Sequence, residues 1–304
     1  MLATHKIRDL VLSAPPSEGR PPHVTAASGL IRSSGRIYVI SDDDFILAVF
    51  SIDNDDPGEV KLLLTGPIPM ELMRTRLDKA DLETMTLVPS FPAAPHGGLL
   101  ALGSGSTPNR RNGAFWRLDD NGDVQGEPTQ IDLSDVYARI STSCSELNIE
   151  GAAVVGDSCR LLQRGNGLHG QNAVVDLHLD RVLSALAEGS AIPGSAVRFV
   201  KKHDIGDIEG VPLGFTDGSP LEDGRMVFAA SAEDTTDPTK DGVVTGSSIG
   251  IVDAEGGVER IEPLAELYKI EGVHADEGDG GISLVLVADA DDPSVPSPLL
   301  AADL

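Results

Sequence analysis

A recurring anchor spaces this chain into five similar stretches, and that periodicity limits the folds open to it more than any other feature. The anchors are Ser28-Gly29-Leu30, Leu82-Glu83-Thr84, Ile149-Glu150-Gly151, Ile208-Glu209-Gly210 and Ile270-Glu271-Gly272. Each is followed by an apolar run that ends in small or charged residues. In order these runs are RIYVISDDD (36–44), GLLALGSGS (98–106), CRLLQRGN (159–166), RMVFAASAED (225–234) and ISLVLVADADD (282–292).

Within a copy, the pattern reads as four short strands. In the third copy they are EGAAVVGD, CRLLQRG, NAVVDLHLD and AVRFVKKHD. Val175, Leu177 and Leu179 alternate with polar neighbours, as a half-buried strand requires. Gly-Asp, Asp-Asn-Gly and Glu-Asp-Gly turns separate the runs. Only 134–140 and 180–188 read as helix, too little for a doubly wound α/β fold. Four strands repeated five times predict an all-β chain, 1–304, forming a single β-propeller of about five four-stranded blades. A sixth, degenerate blade is the structural alternative. The fifth copy supplies three strands, ending in SPLLAADL (297–304). The N-terminal HKIRDLVLS (5–13) is expected to add the fourth and close the ring, which removes open sheet edges.

In such a ring, the connection leading into each innermost strand and the loop after each second strand share one mouth of the channel. Glu83, Glu150, Glu209 and Glu271 are therefore expected at that mouth, with Ser28 in the remaining blade. Asp42, Asp43, Asp44, Ser104, Ser106, Glu233, Asp234, Asp289, Asp291 and Asp292 are expected to surround them, with Asn109, Arg110, Arg111, Arg164 and Asn166. The glycine after each glutamate allows close backbone approach where inner strands crowd. Two roles are open to the glutamates. Each could accept backbone N–H bonds and lock neighbouring blades, because a buried carboxylate needs partners. Together with Asp289 and Asp291, Glu83, Glu150, Glu209 and Glu271 could instead supply the oxygen cage of a calcium ion. Asn109, Arg110, Arg111, Arg164 and Asn166 would hold an anionic substrate through guanidinium forks, or the arginines would only neutralise nearby acids. Calcium acidifies water weakly, so Asp42 or Asp234 is the expected general base.

Charge narrows the partners. The chain carries 48 acidic and 23 basic side chains, a net charge of −25. That surface repels nucleic acid and anionic membrane. The first thirteen residues have no apolar signal core, and no run of about 18 apolar residues exists to span a bilayer, so a cytoplasmic monomer is expected. The two cysteines, Cys144 and Cys159, form no zinc motif. Three motif spellings fail on context. Gly165–Gly170 spells GxGxxG and Gly246–Gly250 spells GxSxG, but strands rather than helices follow. Asp119–Asp123 lacks flanking helices and an EF-hand first ligand, and reads as a hairpin turn. His203 and His274 read as structural.

The stretches ALGSGSTPNRR (101–111), NIEGAAVVGD (148–157), LLQRGN (161–166), AEDTTDPTKDGVVTGSSIGIVD (232–253), KIEGV (269–273) and VADADDPSVPS (287–297) resemble a family of uncharacterised bacterial β-propellers along the whole chain. More remotely, the Glu-Gly repeats resemble those of phytase-like esterase and SdiA-regulated propellers. That likeness implies calcium and phosphoester chemistry, although Ser28 and Thr84 depart from the Glu-Gly pattern. The combined expectation is a calcium-dependent hydrolase for a small phosphorylated or ester substrate. Its rivals are a non-catalytic propeller that binds a protein or sugar, and a propeller of the sugar-lactone or dehydrogenase type.

Overall fold

A computed structural model describes residues 1–41, 46–62, 82–235, 242–278 and 280–304. In chain order, strand β1 (His5–Asp9) precedes β2 (Ala27–Ser33), β3 (Arg36–Ser41), β4 (Ile46–Ser51) and β5 (Glu59–Leu62), which form blade I. Blade II is β6 (Leu82–Val88), β7 (Gly98–Gly103), β8 (Asn112–Leu118) and β9 (Val124–Asp132). Blade III is β10 (Ile149–Val155), β11 (Ser158–Gln163), β12 (Asn172–His178) and β13 (Val197–His203). Blade IV has a short extra strand, β14 (Asp207–Ile208), ahead of β15 (Val211–Pro220), β16 (Met226–Asp234), β17 (Val243–Val252) and β18 (Val258–Pro263). Blade V is β19 (Lys269–Gly278), β20 (Gly281–Asp289) and β21 (Pro298–Asp303), completed by β1.

The ring closes as the repeat pattern predicts. His5 faces Ala301 and Asp9 faces Pro298 across antiparallel β1 and β21. Inner strands β2, β6, β10, β15 and β19 each pack on the next, and β19 returns to β2. The described residues form five blades and not six. Burial follows from this geometry, since each sheet has two apolar faces and one of the five apolar clusters fills each gap between neighbours. Phe215 and Phe228, for example, stack edge-to-face, 4.9 Å between centroids, in the gap between blades III and IV. Helices α1 (Ser134–Ile140) and α2 (Leu179–Glu188) cover the gap between blades II and III, where the sequence predicted the only two helices. Cys144 and Cys159 are free thiols buried there, and burial pushes Cys159 up to about 12.

One irregularity recurs in every blade. The pairing of the inner strand with its neighbour slips by one residue at Ser28, Glu83, Glu150, Thr216 and Glu271. A bulge leaves one residue unpaired and re-aims its side chain. These five equivalent positions are the true anchors of the ring. Glu209 is not among them. It sits at φ 56° in the exposed turn between β14 and β15. The extra hairpin repeats the Ile-Glu-Gly spelling seven residues before the bulge at Thr216.

The residue after each bulge meets the neighbouring blade. A Cβ on Gly29 would lie 3.3 Å from Met85 N, and one on Gly272 only 3.1 Å from Leu30 N. Blades II and IV instead carry Thr84 and Asp217 at this level, and these two side chains meet across the ring at 3.3 Å. The Asp217 carboxyl also accepts the N–H of Val273 in blade V at 3.0 Å and that of Leu30 in blade I. Complete burial pushes Asp217 well above the usual carboxylate range, against the opposing pull of these donors. Asp217 thus makes a lock between blades of the kind expected of the glutamates.

Candidate functional site: a charged cluster at the channel mouth

Above the Asp217 level, blades III, IV and V bring together side chains that the chain keeps far apart. Arg164, just past β11, is buried and holds three carboxylates. Its Nη1 lies 3.0 Å from Glu150 and 3.9 Å from Glu271, and its Nη2 lies 2.7 Å from Glu233. Lys269 opens β19 and points the same way. Its Nζ lies 2.9 Å from Asp291, 3.6 Å from both Glu271 and Asp289, and 3.9 Å from Glu233. Asn148 donates to Glu150 at 2.5 Å and to Asn166 at 3.3 Å, and the N–H of Gly242 donates to Glu233 at 2.7 Å.

Burial raises two carboxyls in this cluster. Burial pushes Glu271 up to about 8, outweighing the opposite pulls of Lys269 and Arg164. Burial also raises Asp289, to about 6, despite Lys269 beside it. For the two cations, burial favours the neutral form, but the surrounding carboxylates outweigh it and hold Arg164 and Lys269 above their ordinary values. Some buried polar atoms here have no hydrogen-bond partner among the described residues, namely Glu271 Oε1, Thr216 Oγ1 and Arg164 Nε. Such orphans are uncommon in folded proteins and mark places where a water or ligand group belongs.

Of the residues singled out in the sequence, Glu150, Arg164, Asn166, Glu271, Asp289 and Asp291 meet in this cluster. Glu83 occupies the equivalent bulge of blade II and is half-buried. Glu209 is misplaced, for the reason given above. Asp234 ends β16 exposed at the rim, and strand alternation turns its neighbour Glu233 inward. Asn109 is exposed on a single 3-10 turn (Pro108–Arg110). Arg110 is buried and donates to Ser106 at 3.1 Å, while Arg111 is half-buried. Asp42, Asp43 and Asp44 lie outside the described residues. Lys269 escaped the sequence reading, although it stands two positions before Glu271.

Arg164 does not serve as a free anion clamp, because carboxylates already hold both terminal nitrogens. Calcium faces a similar difficulty. The ammonium of Lys269 stands where Glu233, Glu271, Asp289 and Asp291 converge, and no three acidic, histidine or cysteine side chains among the described residues are arranged to hold a metal. In this arrangement Lys269 holds the position on which these four acids converge.

Five blades around a mouth of buried ionised groups define a five-bladed β-propeller with a candidate small-molecule site. Residues 23–304 match a family of unknown function, DUF6929, and the chain belongs to that family. No curated protein matches it in sequence. Among solved structures, a hypothetical protein from Leishmania major aligns over 99% of this chain and 91% of its own, at 10% identity and a TM-score of 0.51. MPT-4, a mannose phosphorylase from Leishmania mexicana in complex with phosphate ion, aligns over 99% and 88%, at 13% identity and a TM-score of 0.50. At such identities the likeness is one of fold. It bears out a propeller family without assigned activity and gives no support to the remoter phytase-like or SdiA-regulated relationship. Among the described residues, no helix is long and apolar enough to cross a membrane.

Proposed function

We propose that the channel mouth is a hydrolytic site in which Glu271 donates a proton to the leaving oxygen of a small neutral or cationic substrate. The observation that carries this reading is a buried Glu271 whose Oε1 has no hydrogen-bond partner among the described residues, while two cations lie within 4 Å. With Glu271 raised to about 8, the acid holds its proton at neutral pH. Asp289, raised only to about 6, is ionised there and serves as the base. Two carboxyls set apart in this way suit acid and base roles.

Asp289 removes a proton from water, and the resulting hydroxide equivalent bonds to the electrophilic carbon. The C–O bond to the leaving group breaks as its oxygen takes the Glu271 proton. Lys269 and Arg164 then stabilise the Glu271 carboxylate, and proton transfer from Asp289 through solvent restores the starting state. With Glu271 protonated, four carboxylates against two cations favour an ester, lactone or glycoside without negative charge over a phosphorylated substrate.

The test is turnover of a panel of nitrophenyl esters, lactones and glycosides by the wild type and Glu271→Gln. Activity should show limbs near pH 6 and 8 and fall at least about 100-fold in the variant. Equal rates in both proteins would overturn the proposal. No turnover on any panel member would favour a non-catalytic mouth, a reading that Arg164 supports by tying blades III, IV and V together. Calcium is the competing outcome. A melting temperature raised by calcium in the wild type, but not in Glu271→Gln, would mean that the ion displaces Lys269.

A further inference from the structure

On the mouth face, next to the charged cluster, two cavities share one wall. The first, about 480 Å³, lies over blade IV and is lined by apolar groups including Ile205, Leu213, Leu264 and Met1. The second, about 390 Å³, lies over blade V and ends on Asp289, Asp291 and Lys269. Leu267 borders both. Each volume is in the range that small ligands occupy. Met1, Leu267 and Val295 line these cavities while remaining exposed, at 86%, 67% and 43%. Large apolar side chains gathered around a depression on a soluble protein mark a binding surface.

Charge selects the ligand. The ammonium of Lys269 is already shared among four carboxylates, and the Asp291 side chain remains about one-third exposed beside it. The second cavity is also lined by Lys6 and Asp9, which pair with each other at 2.6 Å, so the excess charge at its polar end is that of Asp289 and Asp291 over Lys269, and an incoming carboxylate would meet those two acids. We propose that this groove binds a small lipophilic amine, with its ammonium at Asp289 and Asp291 and its hydrocarbon part laid across Leu267 into the cavity at Ile205, Leu213 and Leu264. The site does not depend on proton donation by Glu271, and binding rather than turnover tests it.

Calorimetric titration with octylamine, 1-octanol and octanoate separates the contributions. Octylamine should bind at least about tenfold more tightly than either of the others. Asp291→Asn, which suits the left-handed backbone at φ 51°, should remove most of that preference. Ala265→Trp, at an exposed position lining the apolar cavity, should weaken octylamine by about fivefold or more. Glu271→Gln should leave binding unchanged, which keeps this result separate from the hydrolytic reading. Thermal melts of each variant confirm folding. Octylamine binding no better than octanol, or binding indifferent to both Asp291→Asn and Ala265→Trp, would overturn the assignment.

Discussion

Two buried arginines lie only four residues apart in blade III, yet their surroundings differ. Arg160 points toward the face opposite the mouth. Its Nε and Nη2 form a fork on Asp176 at 2.7 and 3.0 Å, and its Nη1 and Nη2 donate to the carbonyls of Asp253 and Ala254 in blade IV at 2.7 and 2.9 Å. One carboxylate and two carbonyls satisfy one guanidinium. Arg164 instead faces three carboxylates, with its Nε and Glu271 Oε1 left over. A closed set of bonds is what a structural tie needs. An oversupply of acid with unused atoms is what a site for chemistry retains, at a cost in stability.

Substitutions can break or sharpen this contrast. Arg160→Met should have the largest effect, about 3–5 kcal/mol of unfolding free energy in a urea melt, because it strands Asp176 in the core. Arg164→Met should cost less, about 2 kcal/mol at pH 8, and progressively less toward pH 5. The carboxylates it leaves behind can take up protons, whereas ionising them unpaired becomes costlier as pH rises. If Arg164→Met proves as costly as Arg160→Met at every pH, both arginines are structural ties. A change of slope with pH, rather than a loss at one pH, tests Glu271. Its carboxyl is raised on folding from 4.5 to about 8, so the folded protein holds an extra proton between those values. That contribution to stability is complete below about pH 4.5 and is lost as pH rises toward 8, with a slope of at most about 1.4 kcal/mol per pH unit. Glu271→Gln should flatten this part of the profile, and an unchanged profile would place the abnormal titration elsewhere.

The blade number, the closure by HKIRDLVLS and both helices were legible because strand periodicity and turn residues are local signals. The anchors were legible only where spelling and register agree. Ile149-Glu150-Gly151 and Ile270-Glu271-Gly272 stand at bulges, but the same three letters at 208–210 fall on an added hairpin, and the true anchor there is Thr216-Asp217-Gly218. A bulge is a property of two paired strands, so one strand's sequence does not reveal it. The cations were harder to assign. Arg164 looks available in a list of residues, and its three partners come from three different blades.

The bond network of Asp217 also bears on traffic. One side chain from blade IV reaches partners in blades I, II and V, and so bridges the central passage below the charged cluster. On the proposed reading, a molecule at the mouth would meet this bridge beneath it, and would arrive and depart on the same side. Release of one ligand and capture of the next would then compete for a single opening.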